Sequence, residues 1–282
     1  MRAALFLGRG VLLIAVLASP MLGQRVRRSS DAPDPDRSIQ DWLDQCRDGR
    51  NRNGDRERFC EVREKRLDPS RSIDVDGREN GGVSVHGWDR SQVLVLAKIQ
   101  TDGDDADEAR DIASQINILT EDGRVRADGP STRRHQSWSV SYDVWAPRET
   151  DLHLVTHNGG ISIEDISGRL DLSALNGGIA LRGVSGDVHG ETTNGPLNVE
   201  LDGERWRGAG LDLRTTNGPV NLGIPEGYSA RLETGTVNGG MRIDFPVTLQ
   251  GNIGRRITTD LGNGGPPIRA VTTNGPVNIR RR

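Results

Sequence analysis

The side chains able to do chemistry in this chain are scattered carboxylates, five histidines and two cysteines. Cleaving a glycosidic bond takes two acids held close around that bond. Glu164, Asp171, Glu200, Asp212, Glu233 and Asp244 are the candidates, and they are scattered among the outward positions of different repeats. A shared metal ion fails for His153 and His157, because four residues along a strand separate them by roughly 13 Å. Asn51-Arg-Asn-Gly54 has the outline of a calcium loop, but its first ligand position falls on Gly49 and its twelfth on Cys60. An EF-hand loop needs Glu at the twelfth position, so the segment reads as a turn. The Gly-Gly-x-Gly-x-Asp pattern of calcium-binding β-solenoids is missing. Asp102, Asp104, Asp105 and Asp107 precede the apolar spacing Ala109, Ile112, Ala113 and Ile116. Acids are favoured at a helix N-terminus without any ion, and the spacing is one face of a short capped helix. The chain is therefore expected to carry no catalytic residue, no cofactor and no metal.

The elements that would position any site begin after an export signal. Arg2 and Arg9 precede the apolar run Val11–Leu17, then Ala18-Ser19-Pro20. A run this short is a signal peptide rather than a spanning helix, with cleavage expected near Gly23. No later segment is apolar enough to span a membrane. In an exported chain the pair Cys46 and Cys60 is expected to form one disulfide, which closes a loop worth roughly 3 kcal/mol. The polar stretch around it has helical character at both ends, with Asn53-Gly54 between, so the bridge would staple a helical hairpin. A charge balance of 37 basic and 40 acidic residues gives no reason to expect nucleic acid as a partner.

Self-similarity is the strongest signal. Asn-Gly pairs recur at Asn158, Asn176, Asn194, Asn217, Asn238, Asn263 and Asn274, the first two intervals being 18 residues each. Six positions before these anchors stand Leu152, Leu170, Val188, Leu211, Leu232, Ile257 and Ile268. Five positions after stand Ile163, Leu181, Val199, Leu222, Ile243, Ile268 and Ile279. The position three after is aliphatic except at Pro266. Period-two spacing such as Leu152-His-Leu154 makes each repeat two short strands around an Asn-Gly corner. One such unit cannot bury its apolar face alone, but a stack of them can. An antiparallel hairpin is the alternative for Asn-Gly, yet the distance between inward positions suits a wider corner. Asp202–Gly210 and Phe245–Gly251 read as insertions bulging from the stack. Gly81–Arg90 followed by Val93–Ile99 reads as a first, irregular coil.

The order Asn80-Gly-Gly-Val-Ser-Val-His-Gly-Trp88, an acidic helix, Val144–Leu152 and then Asn-Gly-Gly-Ile coils resembles the DUF4097 family, named as an adhesin domain of unknown function. The resemblance covers residues 71–282 and implies a β-solenoid associated with the cell envelope, with no catalytic residues to carry over. The expected fold class is all-β: a parallel β-solenoid of coils of about 18–25 residues. It includes a short inserted helix and an N-terminal disulfide-stapled helical segment. Residues 1–23 form the signal peptide, 24–70 the linker and stapled segment, and 71–282 the solenoid. The expected function is an exported, non-enzymatic scaffold or adhesin-like protein, in the periplasm, outer envelope or outside the cell. Its ligand is an unidentified envelope or surface protein or glycan. A polysaccharide-active β-helix enzyme and an envelope-stress accessory binding protein are the alternatives.

Overall fold

A computed structural model describes residues 32–49, 56–68, 70–244 and 255–282. The expected signal peptide over residues 1–23, turn at Asn51–Gly54 and insertion at Phe245–Gly251 lie outside the described residues. Helix α1 (Pro35–Asp48) is followed by β1 (Glu57–Leu67), β2 (Ser72–Asp76), β3 (Val83–Trp88) and β4 (Val93–Gly103). Helix α2 (Ala106–Ser114) then leads into β5 (Asn117–Glu121), β6 (Arg124–Asp128) and β7 (Ser137–Pro147). The repeats supply β8 (Asp151–Thr156), β9 (Ile161–Glu164), β10 (Ser167–Ala174), β11 (Ile179–Arg182), β12 (Ser185–Asn194) and β13 (Leu197–Glu200). They continue as β14 (Gly210–Asn217), β15 (Val220–Ile224), β16 (Ala230–Asn238) and β17 (Met241–Ile243). The chain ends with β18 (Arg256–Leu261), β19 (Pro267–Asn274) and β20 (Val277–Arg281).

These strands form two mixed ten-stranded sheets. One runs β1-β4-β7-β3-β9-β11-β13-β15-β20-β17, the other β18-β16-β19-β14-β12-β10-β8-β2-β6-β5. Each repeat gives one strand to each sheet, and equivalent residues pair in parallel, as in Leu152↔Leu170↔Val188 and Ile161↔Ile179↔Leu197. Alternate residues therefore face a shared interior, where Leu170, Ile179, Val188 and Leu197 are fully buried.

The corner between the two strands is set by space rather than by a special backbone angle. A Cβ on Gly177 would lie 2.0 Å from the Gly159 carbonyl oxygen, and one on Gly195 only 2.2 Å from that of Gly177. Neither glycine has a positive φ. A two-residue hairpin turn would require one, so the wide corner is the observed form. Beneath it, Thr192, Thr215 and Thr272 donate their hydroxyls to the carbonyls of Gly177, Gly195 and Gly218 in the adjacent repeat.

Several expectations need correction. Chain order is not spatial order, because β19 and β20 insert between the repeat of β14 and that of β16. Ile268 consequently aligns with Leu211 and Leu232 and belongs to one column only. Ile257 leaves that column, since β18 runs antiparallel to β16 and sets Ile257 against Thr234. Asn263 sits in the turn after β18 and is not an anchor of the stack. Val93–Ile99 is not part of a coil either: β4 pairs antiparallel with both β1 and β7. Asp202–Gly210 folds back onto the stack, with Trp206 buried and its indole N–H donating to Gly186 O at 3.1 Å.

The cysteine segment is half helical. Asp34 caps α1, accepting from Asp36 N at 2.9 Å, and Pro35 suits the first turn. Its second half is strand β1, because eleven backbone partners along β4 outweigh a weak helical pattern. The disulfide Cys46–Cys60 thus joins a helix to a strand. It holds α1 over the outer face of the first sheet, where Trp145, Leu96 and Leu94 pack with Ile39, Val62 and Trp88. Helix α2 is capped by Asp105 and buries Ala109, Ile112 and Ala113 as the spacing predicts.

Candidate functional site

Stacked repeats place their outward residues in columns across the second sheet. The anchors Asn158, Asn176, Asn194, Asn217, Asn274 and Asn238 form one such column along the corner. From Asn176 onward each side-chain amide donates to the Oδ1 of the preceding asparagine at 2.8–2.9 Å. The series starts at Asn80, whose Oδ1 accepts from Asn158 at 3.2 Å. Asn198, Asn221 and Asn278 form a second ladder on the other sheet, at 2.8 and 2.9 Å.

Beside the anchor column a groove of about 800 Å³ crosses the second sheet from Arg78 to Val237. Its lining carries hydroxyls, with Ser173, Thr193, Thr216 and Thr273 on successive strands, beside the charged side chains of Asp76, Glu191, Arg214, Arg256 and Arg269. Leu175 and Val237 also line it, 38% and 51% exposed, the two large apolar side chains most open to solvent among the described residues. Both occupy the outward position immediately before an anchor, where His157, Thr193, Thr216 and Thr273 stand in other repeats. An apolar residue in a polar column was the readable signal for this groove, and the inward columns drew attention away from it.

Of the candidate acids, Asp171 and Asp212 line one shallow cavity with His153, His189 and Glu191; the others are spread apart, and most are already engaged. Glu164 pairs with Arg182, Glu200 with Arg280 at 2.7 Å, Glu233 with Arg231 at 3.5 Å and Asp244 with Arg242 at 3.2 Å. Asp212 accepts from Arg214 and Arg269, each at 2.8 Å. Burial pushes the Asp212 carboxyl up, but those two guanidinium bonds outweigh it and hold it below its ordinary value. Asp171 and His189 lie along the same column as Asp212. His153 contacts Asp74 at 3.3 Å and His189 contacts Asp187 at 2.9 Å. The acidic residues around the start of α2 have protein partners: Asp102 holds Arg58 at 2.8 Å, Asp104 meets His135 at 3.2 Å and Asp107 meets Arg110 at 2.9 Å. Among the described residues no cluster of His, Cys, Asp and Glu is arranged to hold a metal ion.

A polar cluster that the sequence did not reveal lies under α1. Ser38 Oγ donates to Asp143 at 2.5 Å, and Lys98 Nζ donates to Ser38 at 3.2 Å and to Asp143. A serine beside a lysine suggests a nucleophile, but here the lysine is a donor and the hydroxyl proton points at the carboxylate. The arrangement ties the helix to the sheet. Next to it His86 stacks at 5.2 Å from Trp145, with its Nδ1 3.5 Å from Glu164. Burial pulls the His86 imidazole below its ordinary value, against the opposing pull of Asp143 and Glu164.

No helix among the described residues is long and apolar enough to cross a membrane. No curated protein matches the sequence. A "putative cell adhesion protein" from Clostridium sporogenes aligns over 79% of this chain and 100% of its own, at 9% identity and a TM-score of 0.42. A "putative adhesin" from Bacteroides fragilis covers 79% and 97% at 10% identity with a TM-score of 0.34. A "putative lipid binding protein" from Parabacteroides distasonis covers 81% and 98% at 10% identity with a TM-score of 0.30. The Toastrack DUF4097 family model matches residues 78–280, most of the sequence, and the chain belongs to that family.

Proposed function

We infer that this chain is an exported, non-enzymatic scaffold that presents the groove of its second sheet to an extended polymer of the cell envelope. In this reading the repeats wind as a parallel solenoid of coils of about 18–25 residues, a rigid stack whose surface columns serve as the binding face. The observation that carries it is the groove itself: it spans strands of successive repeats, it sets a row of hydroxyls among charged side chains, and Leu175 and Val237 are its exposed apolar contacts. Rows of hydroxyls with isolated apolar side chains offer hydrogen bonds and contact area to a long ligand. Most of the candidate acids are paired with guanidinium groups, which leaves few of them free for acid–base work. The disulfide fits an oxidising compartment outside the cytoplasm.

Replacing Leu175 and Val237 together by Arg tests this reading, with sedimentation of the protein on isolated envelope fractions as the measurement. Both side chains are on the surface, so the melting temperature should hold while the bound fraction falls by about tenfold or more, in the range of lost interface anchors. Unchanged binding would remove the groove from consideration.

A further inference from the structure

At the Asn80 end of the anchor ladder lies a second, smaller cavity of about 400 Å³ between the β2–β3 corner, the end of β6 and the start of β7. It shares Arg78 and Glu79 with the groove but has its own interior. Tyr142 forms part of its wall, is 1% exposed, and its phenol oxygen is buried with no hydrogen-bond partner among the described residues. A buried hydroxyl left unpaired is costly, and most such groups find a partner. Burial and the neighbouring Asp76 push that phenol far above its ordinary range, so it remains a neutral donor.

Three further features define what would fit. Trp138 lines the cavity with its indole N–H already donating to Pro130 O at 2.9 Å, so the ring offers apolar surface. The ladder amides all donate in one direction, toward Asn80, a residue that lines the same cavity and whose own amide ends the series. Hydrogen bonds in such a chain polarise one another and strengthen the terminal donor. At the rim Arg78 bonds Asp128 at 2.5 Å, which cancels the one positive charge, and Glu79 adds a negative one.

We propose that this cavity binds a neutral sugar ring, its C–H face on Trp138 and its hydroxyls on Tyr142 and Asn80. Aromatic surface combined with a few convergent hydrogen-bonding groups suits a polyhydroxylated ring of this size. The negative balance at the rim disfavours an anionic ligand. The site is independent of the groove reading, and a protein whose groove binds nothing would still bind sugar here.

The test is calorimetric titration of the mature protein with glucose, N-acetylglucosamine, cellotetraose, chitotetraose and glucuronate. Saturable binding of a neutral probe is expected, weaker for glucuronate than for glucose. Tetramers binding as well as monomers would mark the end of a glycan chain as the source, and monomers alone a free sugar. Tyr142→Phe should weaken binding about fivefold, the scale of one hydrogen bond. The same change removes an unpaired buried hydroxyl, so it should raise the melting temperature by about 2–4 °C. That pairing of opposite signs is not expected of a tyrosine with a purely structural role. Leu175→Arg, in the groove, should leave sugar affinity unchanged. Absence of saturable binding by every neutral probe, tighter binding of glucuronate, or a Tyr142→Phe variant that binds as well as the parent would each overturn the proposal.

Discussion

The repeats from β8 to β15 and the end of the molecule from α1 to β7 are stabilised by different means. In the repeats the main contacts recur: an aliphatic pair inside, an asparagine amide bonded to the adjacent unit, and, except at Ala174, a buried threonine bonded to a corner carbonyl. At the other end the contacts are single events between distant segments. Cys46 meets Cys60, Lys98 and Asp143 meet Ser38, Arg58 meets Asp102, and Trp145 donates to Pro33 O at 2.9 Å. Periodicity lets many weak, identical contacts hold a stack, whereas an irregular cap depends on a few strong ones that cannot be replaced individually.

The sharpest way to test that contrast is to remove one member of the buried pair in the cap. Asp143→Ala leaves the Lys98 ammonium buried without its carboxylate, at a cost of about 3–5 kcal/mol. Chemical denaturation should show this loss, and a change under 1 kcal/mol would mean the pair is as weak as a surface one. Reducing Cys46–Cys60 frees the unfolded chain and should cost roughly 3 kcal/mol in the loop-entropy account. Thiol titration of the denatured, unreduced protein should find no free thiol. In the repeats, Gly195→Ala drives a methyl group into the Gly177 carbonyl oxygen 2.2 Å away and should cost about 1–3 kcal/mol. Stability unchanged by that substitution would show that the corners are looser than described.

A smaller effect concerns pH. His86 is held neutral in the folded cap, facing Asp143, Glu164 and Lys98, and its folded pKa lies below that of the unfolded chain. As pH falls below about 6.5, the unfolded chain takes up the proton first, so stability should fall with acidification. His86→Gln should flatten this slope in a series of melts between pH 5 and 7. An identical slope in the variant would assign the acid sensitivity elsewhere.

The repeats were legible because each position is sampled several times: Leu152, Leu170 and Val188 identify one another as inward without knowledge of the rest of the fold. The order of the last units was not legible, since β19 pairs with both β14 and β16 through contacts with no counterpart in spacing. The strand character of Phe59–Leu67 was hidden for the same reason, its backbone partners being supplied by Val93–Thr101 far along the chain. Asn263 looked like an anchor because Asn-Gly marks any tight turn, and only pairing distinguishes a turn after an antiparallel strand from a stacked corner. Of the candidate binding surfaces, the polar columns were implicit in the alignment of repeats. The Tyr142 cavity was not, because it forms where the irregular end meets the first regular corner.

The central claim is that the stacked surface binds without turning its ligand over. Incubating the protein with isolated envelope polysaccharide, and measuring retained protein together with newly formed reducing ends and unsaturated sugars, tests it directly. The account predicts saturable retention with product formation no faster than in a protein-free control. Product that accumulates with time, and that disappears when one of the outward acids such as Asp171 or Glu200 is replaced, would contradict it.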